Sequence, residues 1–442
     1  MSSNAPLVTF RVLFGLLMLL ESWGAIATGW VASAFVEPRL TFPVGDLVFL
    51  RALSGPGMYG YFVVMGFASL GVLLGWRYRW SSLALAVLWT GAYMAQKSHY
   101  NNHYYLAALF AWAMALLPAA DRASFDVAAG RRARRVTTDP WVARAFRIQV
   151  LIVFTYAAVA KLYPGWLNGD YLRVNLGAKG DRWPLGSLVV QPWFQTFTIY
   201  AALIFDALVI PALWWRRTRV LAFVGLIGFN LFNSVVFRIG IFPYMVLGLT
   251  VFFFSEASVE RAFRWLPGMA PGYDQVADDA RRLTARPSGR RVRLGLLGVF
   301  LAVQTLLPLR HHLYESDVTW TEEGHRMSWR MMLRTKSAKL ILVAEDPATG
   351  RNWTVDQSEL LSPRQEARVA GHPDFLYRFV QDLKAQYRSE GIEAVRIFAR
   401  YSACSLNGAE PSPLYNGEVD LAQVTWHRFS AEPWLVPQRR SE

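Results

Sequence analysis

The sequence predicts a polytopic α-helical membrane bundle of about eight to nine transmembrane helices, followed by a small β-rich extracytoplasmic domain with one helix. The chain of 442 residues is 53% hydrophobic and only 18% charged, a low charged share for a soluble protein. Its apolar residues fall in blocks of about 17–25 residues, long enough to cross a bilayer. The blocks end near residue 310, where alternating patterns begin. We therefore predict a transmembrane domain over 1–309 and an extracytoplasmic domain over 310–442.

Nine apolar blocks are candidate membrane spans. The first has no basic segment before it and no small-residue cleavage site after it, so we interpret it as a retained helix. The fifth begins amphipathic, with Arg144 and Arg147, and the eighth is short for a span. The blocks cover approximately residues 8–30, 58–76, 80–97, 101–118, 141–163, 193–214, 219–238, 240–255 and 292–309.

The positions of the arginines predict the orientation of the bundle. Arginine clusters follow the second, fourth, sixth and eighth blocks, whereas the opposite connections hold fewer basic residues. Because basic loops stay in the cytoplasm, we expect a cytoplasmic N-terminus and an extracytoplasmic C-terminal domain. This placement also accounts for the net charge of +14, so we do not expect a nucleic-acid partner.

The C-terminal part alternates polar and apolar residues, as strands do. A turn-rich stretch, 346–350, indicates a hairpin, and apolar residues at helical spacing predict one amphipathic helix over 373–389. We expect this domain to pack on the bundle as a lid, because it is short for a large site of its own. The predicted strands are 318–321, 328–333, 339–343, 353–355, 394–402 and 424–429.

Lys161 is the most informative single residue, because ionisable groups inside spans are costly and are usually functional or paired. It follows the apolar run 156–160, and burial there disfavours the charged ammonium form. A lysine so placed can act as a general base near neutral pH. The alternative is a lysine that extends its charge to the membrane interface and takes no part in chemistry. We interpret another ionisable residue within a predicted span, Asp206, as a structural partner of one of the arginines.

Several amides and a histidine fall on the same predicted side as Lys161, which indicates a polar cavity beneath the C-terminal domain. His103 is a candidate acid, base or hydrogen-bond donor, and the alternative is a histidine satisfied by neighbouring amides. His99 and His103 are four residues apart, as metal ligands can be, but no carboxylate has matching spacing. With Cys404 as the single cysteine, we expect no metal. The amides are Asn101, Asn102, Asn230 and Asn233.

Short motifs in order along nearly the whole chain resemble those of the vitamin K-dependent γ-glutamyl carboxylases. Any one of them is weak, and their order and spacing make the resemblance specific. They are Phe10–Gly15, Leu73–Arg79, Asn101–Leu106, Arg147–Gln149, Ala160–Leu162 with Trp166, Asn233–Ser234, Ile239–Tyr244, Ser328–Met332 and Trp434–Pro437.

The resemblance implies a reaction. The family oxygenates vitamin K hydroquinone with O2 to the epoxide, which generates a strong base that removes a γ-proton from a peptide glutamate, and the carbanion adds CO2. It implies that Lys161 is the catalytic lysine and His103 an active-site histidine. It also implies a lipid co-substrate, reduced vitamin K or a menaquinol-type naphthoquinone, with Trp329, Tyr104 and Phe242 as aromatic walls. The expected substrate- or cofactor-binding residues are Asn102, Asn230, Asn233, Trp329 and Met331.

Departures from the family pattern leave the reaction open. Asn230 stands where the family has a second histidine, and Gln96 stands where it has an acidic residue. The vertebrate enzymes continue well beyond this C-terminus, and part of their peptide binding lies there. The expected partners are the bilayer, a lipid quinone and a peptide or protein glutamate. Two alternatives are an epoxidase without carboxylase activity and a non-catalytic membrane scaffold or maturation factor.

Overall fold

The structure is a computed structural model that describes residues 2–45, 47–181, 184–269, 288–314, 316–427 and 432–438, without the side chains of 288–290. Each of the nine predicted blocks contains a helix. These helices are α1 Ala5–Ala27, α2 Gly57–Leu74, α3 Tyr78–Ala95, α4 Asn102–Leu116, α5 Pro140–Val159, α6 Pro192–Trp214, α7 Arg219–Phe232, α8 Phe242–Leu249 and α9 Ser288–Leu306.

Six helices in the described part of the chain are long and apolar enough to cross a membrane. They are α1, α2, α5, α6, α7 with its continuation to Phe237, and the stretch Arg291–Leu313. The α8 region is a shorter apolar helix, Phe242–Phe252, and α4 has only 15 residues. The chain is therefore a multi-pass helical protein, while the number of eight to nine crossings stays a prediction.

Close backbone contact and aromatic packing hold the bundle together. A Cβ atom at Gly15 would lie 2.5 Å from the backbone nitrogen of Leu73, so α1 and α2 approach as closely as glycine permits. The rings of Phe146 and Phe252 stack with centroids 4.2 Å apart. Arg11 is buried in α1 and donates to the carbonyl oxygen of Ala119 at 3.2 Å, which offsets the cost of burying its charge.

The C-terminal part contains a three-stranded antiparallel sheet. Its strands are β1 Lys336–Glu345, β2 Asn352–Thr354 and β3 Arg396–Leu406, and β1 lies in the middle. Two helices pack beside the sheet, α10 Pro363–Gly371 and α11 Pro373–Ser389. The apolar side of α11 is buried in the core of this region, as the spacing of its apolar residues predicts.

Three expectations for this region are wrong. Segments 318–321 and 328–333 form turns and irregular structure instead of strands. The region has two α-helices where one was expected, because α10 begins with a capping box at Ser362 and Gln365. Residues 424–427 are not a strand, and 428–429 lie outside the described residues.

Ion pairs and hydrogen bonds attach the sheet region to one end of the bundle. Lys97, which follows α3, is paired with Asp374 of α11 at 2.6 Å, and Arg51 is paired with Asp382 at 2.6 Å. The amide of Gln365 donates to the carbonyl oxygen of Leu40 at 2.7 Å. The sheet region therefore covers the bundle as a lid would, although the predicted division at residue 309 stays a prediction.

Candidate functional site

A cavity of about 390 Å³ lies between the bundle and the sheet region. Its walls come from the start of α4, the end of α5, the middle of α6, the end of α7 and the turn 330–334. A volume of this order is sufficient for a small organic molecule. The apolar part of the wall includes Phe154, Phe229, Phe232, Phe237 and Phe242.

Lys161 lies just beyond the end of α5 and lines this cavity. Its Nζ atom is 2.5 Å from Oδ2 of Asp206 and 3.1 Å from the carbonyl oxygen of Ala157. The Nζ atom also lies 5.2 Å from the ring centroid of Trp166. The side chains of the ion pair are only 6% and 8% exposed.

The interpretation of Asp206 as the partner of an arginine is therefore wrong. Asp206 lies on α6 and pairs with the lysine, 45 positions earlier in the chain. The surroundings of Lys161 are accordingly not purely apolar, because a buried carboxylate accompanies its amine. The ammonium and the carboxylate are held in direct contact at the cavity wall, so a ligand in the cavity would meet both groups together.

The start of α4 places the next group of site residues. The side chain of Asn101 accepts a hydrogen bond from the backbone N–H of Tyr104 at 2.7 Å and so caps the helix. Tyr100 donates to Oδ1 of Asn102 at 2.8 Å. The amide of Asn102 then donates to the carbonyl oxygen of Arg330 at 3.1 Å. This chain of bonds connects the bundle to the turn that closes the cavity.

His103 is the next residue of α4 and also lines the cavity. Its ring packs against Tyr104, with centroids 5.2 Å apart, and against Phe242, at 6.4 Å. A Cβ atom at Gly240, which has a φ of +59°, would lie 3.6 Å from Nε2 of His103. The glycine both permits the left-handed backbone and keeps the space beside the imidazole open.

The other expected binding residues divide into two groups. Asn233 and Met331 line the cavity together with Asn102, whereas Asn230 and Trp329 are absent from its described wall. Asn230 donates to the carbonyl oxygen of Leu226 within its own helix, at 2.8 Å. Trp329 packs on Tyr105, with ring centroids 5.1 Å apart.

Of the three expected aromatic walls, only Phe242 lines this cavity. Tyr104 donates instead to the carboxylate of Glu21 at 2.5 Å and lines a separate space of about 20 Å³. Trp329 is 1% exposed, and its contact with Tyr105 places it in the core behind the cavity wall.

The segment that closes the cavity has a strained backbone. Met327, Trp329 and Met332 have φ values between +52° and +58°, a region that residues with a Cβ atom rarely adopt. The hydroxyl of Tyr100 accepts a hydrogen bond from the backbone N–H of Met327. Such strain persists where the surroundings hold a segment in place, and it is frequent at functional sites.

Sequence reasoning missed a group of basic and polar residues at the outer end of the cavity. Arg334 is paired with Glu322, with Nε 2.5 Å from Oε1, and Arg368 donates to Nε2 of His372 at 2.9 Å. Burial lowers the pKa of His325 well below its usual range, so the ring is neutral near pH 7. Arg330 lies inside the quoted Ser328–Met332 motif and Arg334 lies two residues after it, so that motif was the available signal for these two arginines. No motif points to the others. The missed lining residues are Tyr100, His325, Arg330, Arg334 and Arg368.

The described residues contain no group of three or more His, Cys, Asp or Glu side chains that could hold a metal ion. The cavity instead offers an apolar, aromatic chamber, a buried lysine–aspartate pair, a histidine and a basic outer end. This arrangement can surround a planar apolar ring, take a proton from it and attract an anionic group.

Comparisons with known proteins agree with these features. The family model for the HTTM domain matches residues 2–257, and the family model for the vitamin K-dependent gamma-carboxylase lumenal domain matches residues 289–441. No solved structure matches the chain. The first match alone covers more than half of the chain, and the second begins within the first turn of α9. The chain therefore belongs to the vitamin K-dependent gamma-carboxylase family, with an HTTM domain followed by the lumenal domain of that family.

Proposed function

We propose that the protein is a membrane enzyme that oxygenates a reduced naphthoquinone to its epoxide and uses the base so formed to carboxylate peptide glutamate. The observation that carries this proposal is the buried pair of Lys161 and Asp206 in an aromatic cavity. Membership of the family supports a carboxylase-like function in general, and the cavity supports the specific chemistry.

In this proposal the pair of Lys161 and Asp206 receives a proton from a ring hydroxyl of the quinol. The quinolate then reacts with O2, which yields the epoxide, and the second oxygen atom leaves as water or hydroxide. The strong base formed on that route takes the γ-proton of glutamate, and the carbanion adds to CO2. His103 lies in the same wall and acts as a hydrogen-bond donor or acceptor to the quinone oxygen. Excluding bulk water protects the carbanion from protonation.

The quinone enters from the lipid side. Helix α7 and its continuation supply Phe229, Phe232 and Phe237 of the aromatic wall, and α6 lines the cavity beside them. The outer surfaces of both helices expose large apolar residues such as Phe197 and Leu221. A lipid tail can remain among such side chains while the ring lies in the cavity. The cavity and the lumenal domain are then extracytoplasmic, and the N-terminus is cytoplasmic. The domain division at 309 and 310 belongs to the same proposal.

The decisive experiment is turnover of a reduced naphthoquinone by purified protein in lipid nanodiscs. The wild type should form epoxide, and Lys161→Ala should lower the rate by about 100-fold or more, the usual contribution of a general base. Lys339→Ala, at an exposed position, is the matched control and should retain the wild-type rate. Absence of epoxide with the folded wild type would contradict the proposal and favour a scaffold role.

Carboxylation needs a separate measurement. Label from bicarbonate should appear in a glutamyl peptide only when quinol and O2 are both present. Epoxide without label in the peptide would limit the function to epoxidation.

The orientation can be tested with a cysteine added at the C-terminus of a Cys404→Ser chain. A membrane-impermeant thiol reagent should label it in intact cells or outward-facing vesicles. Labelling only after permeabilisation would contradict the orientation.

A further inference from the structure

The charged residues that line the cavity do not balance. Four are basic, and Asp206 is the one acidic residue among the described lining residues. Lys161 is neutralised by Asp206, and Arg334 is neutralised by Glu322, which stands behind the wall. Arg330 and Arg368 are left over. Within the described residues neither forms an ion pair. Asp374 acts on Arg368 electrostatically, but this carboxylate is paired with Lys97 and Arg326. The hydrogen bond of Arg368 goes to His372, and burial lowers the pKa of that ring well below its usual range.

The guanidinium of Arg330 lacks the partners that such a group usually has. Its Nε atom is buried without a hydrogen-bond partner among the described residues. Asp317 acts on it electrostatically, but the Oδ1 atom of that carboxylate accepts from the N–H and the hydroxyl of Thr319, both at 2.7 Å. Leaving a buried donor unsatisfied is costly, and a ligand that accepts from it removes the cost.

Arg330 also lies between two cavities. Its side chain is in the wall of the cavity that contains Lys161, here called the inner cavity, and in the wall of a second, outer cavity of about 550 Å³. The rim of the outer cavity includes the exposed residues Leu162, His312 and Asp317. A chain segment in the outer cavity could therefore extend one acidic side chain past Arg330 towards the inner cavity. Asn102 holds the backbone of Arg330 through its carbonyl oxygen.

We propose that Arg330 and Arg368 bind the side-chain carboxylate of a glutamyl substrate, with the peptide backbone in the outer cavity. This inference rests on the proposed function, because it assigns the acidic substrate to a place beside the quinone chamber. A planar guanidinium binds a carboxylate through two parallel hydrogen bonds. A substrate carboxylate bound in this way would supply the partner that Arg330 and Arg368 lack among the described residues.

The test measures peptide binding in nanodiscs with no quinone present. The probe is a blocked pentapeptide with glutamate at its centre and alanine elsewhere, and its glutamine analogue is the comparison. The wild type should bind the glutamyl peptide at least about tenfold more tightly, as expected for charge-assisted hydrogen bonds. Arg330→Met should reduce the preference to about onefold, Arg330→Lys should restore part of it, and Arg368→Met should weaken it independently.

Arg388→Met is the matched control, because Arg388 is exposed and its ion pair is remote from the cavity wall. It should keep the wild-type preference. Equal binding of the two peptides by the wild type, or a preference that survives in both Arg330→Met and Arg368→Met, would overturn the inference. Displacement of the peptide by equimolar bicarbonate or inorganic phosphate would also overturn it, because the site would then be one for a small anion. Because no quinone is present, the result does not depend on epoxide formation.

Discussion

Replacing Asp206 with asparagine should destabilise the protein far more than the loss of an exposed ion pair would. The change leaves the ammonium group of Lys161 in a site where its side chain is 6% exposed. Removing one partner of a buried ion pair costs about 3–5 kcal/mol, because the other charge stays buried and uncompensated. The same change at Asp170, in an exposed pair with Arg173, should cost at most about 1 kcal/mol.

Reversible unfolding in mixed micelles of increasing SDS content, followed by tryptophan fluorescence, measures this difference. The double variant Lys161→Met with Asp206→Leu removes both charges and should be more stable than Asp206→Asn alone. Epoxide formation should be lost in both variants, so that stability and activity separate. A free energy of unfolding for Asp206→Asn within about 1 kcal/mol of the Asp170→Asn value would refute the buried pair.

Three further perturbations test the fold and the lid. Burial acts to raise the pKa of Asp374, but its two cationic partners, Arg326 and Lys97, lower it by more. The pKa of Asp374 therefore lies below its usual value. The resulting stabilisation should be complete above about pH 5 and decline as the pH falls through about 4, and Asp374→Asn should remove that decline in acid-unfolding curves. Burial lowers the pKa of Lys336 to about 7, so the unfolded chain binds more protons between pH 7 and about 10.4. Stability should therefore rise with pH over that range, and Lys336→Met should abolish the rise in denaturation measurements at pH 7 and pH 9.5. Gly15→Ala should cost about 1–3 kcal/mol in SDS unfolding because its Cβ would collide with α2, whereas Gly24→Ala, with nothing within 4 Å, should not destabilise.

The helices of the bundle could be predicted from the sequence because each depends on a local run of apolar residues. Lys161 could be singled out for the same reason, since one charge interrupts such a run. The partner of Lys161 could not be predicted, because Asp206 lies on another helix and a single sequence does not show which helices are in contact. The expected binding residues stay a prediction, and only some of them line the cavity. The amide of Asn230 donates to its own helix instead, which depends on how α7 packs.

The errors in the C-terminal domain have local causes. Segment 328–333 contains the alternation of a strand, but Trp329 and Met332 adopt positive φ values, which contacts with the bundle maintain. Helix α10 was missed although its start carries a readable signal, the capping box of Ser362 and Gln365 with Pro363 at the first helical position. The basic end of the cavity could not be predicted, because Arg330 and Arg368 belong to separate segments that only the tertiary fold brings to one wall.

The turn at 327–332 makes the sheet region the ceiling of the cavity. The floor, with Lys161 and Asp206, comes from the helices, and the ceiling comes from a different part of the chain. A bundle stripped of that ceiling would hold the same amine and carboxylate in a vestibule open to water. Under the proposed function, water would then protonate the carbanion before CO2 adds, so the isolated bundle should form epoxide without carboxylating a peptide.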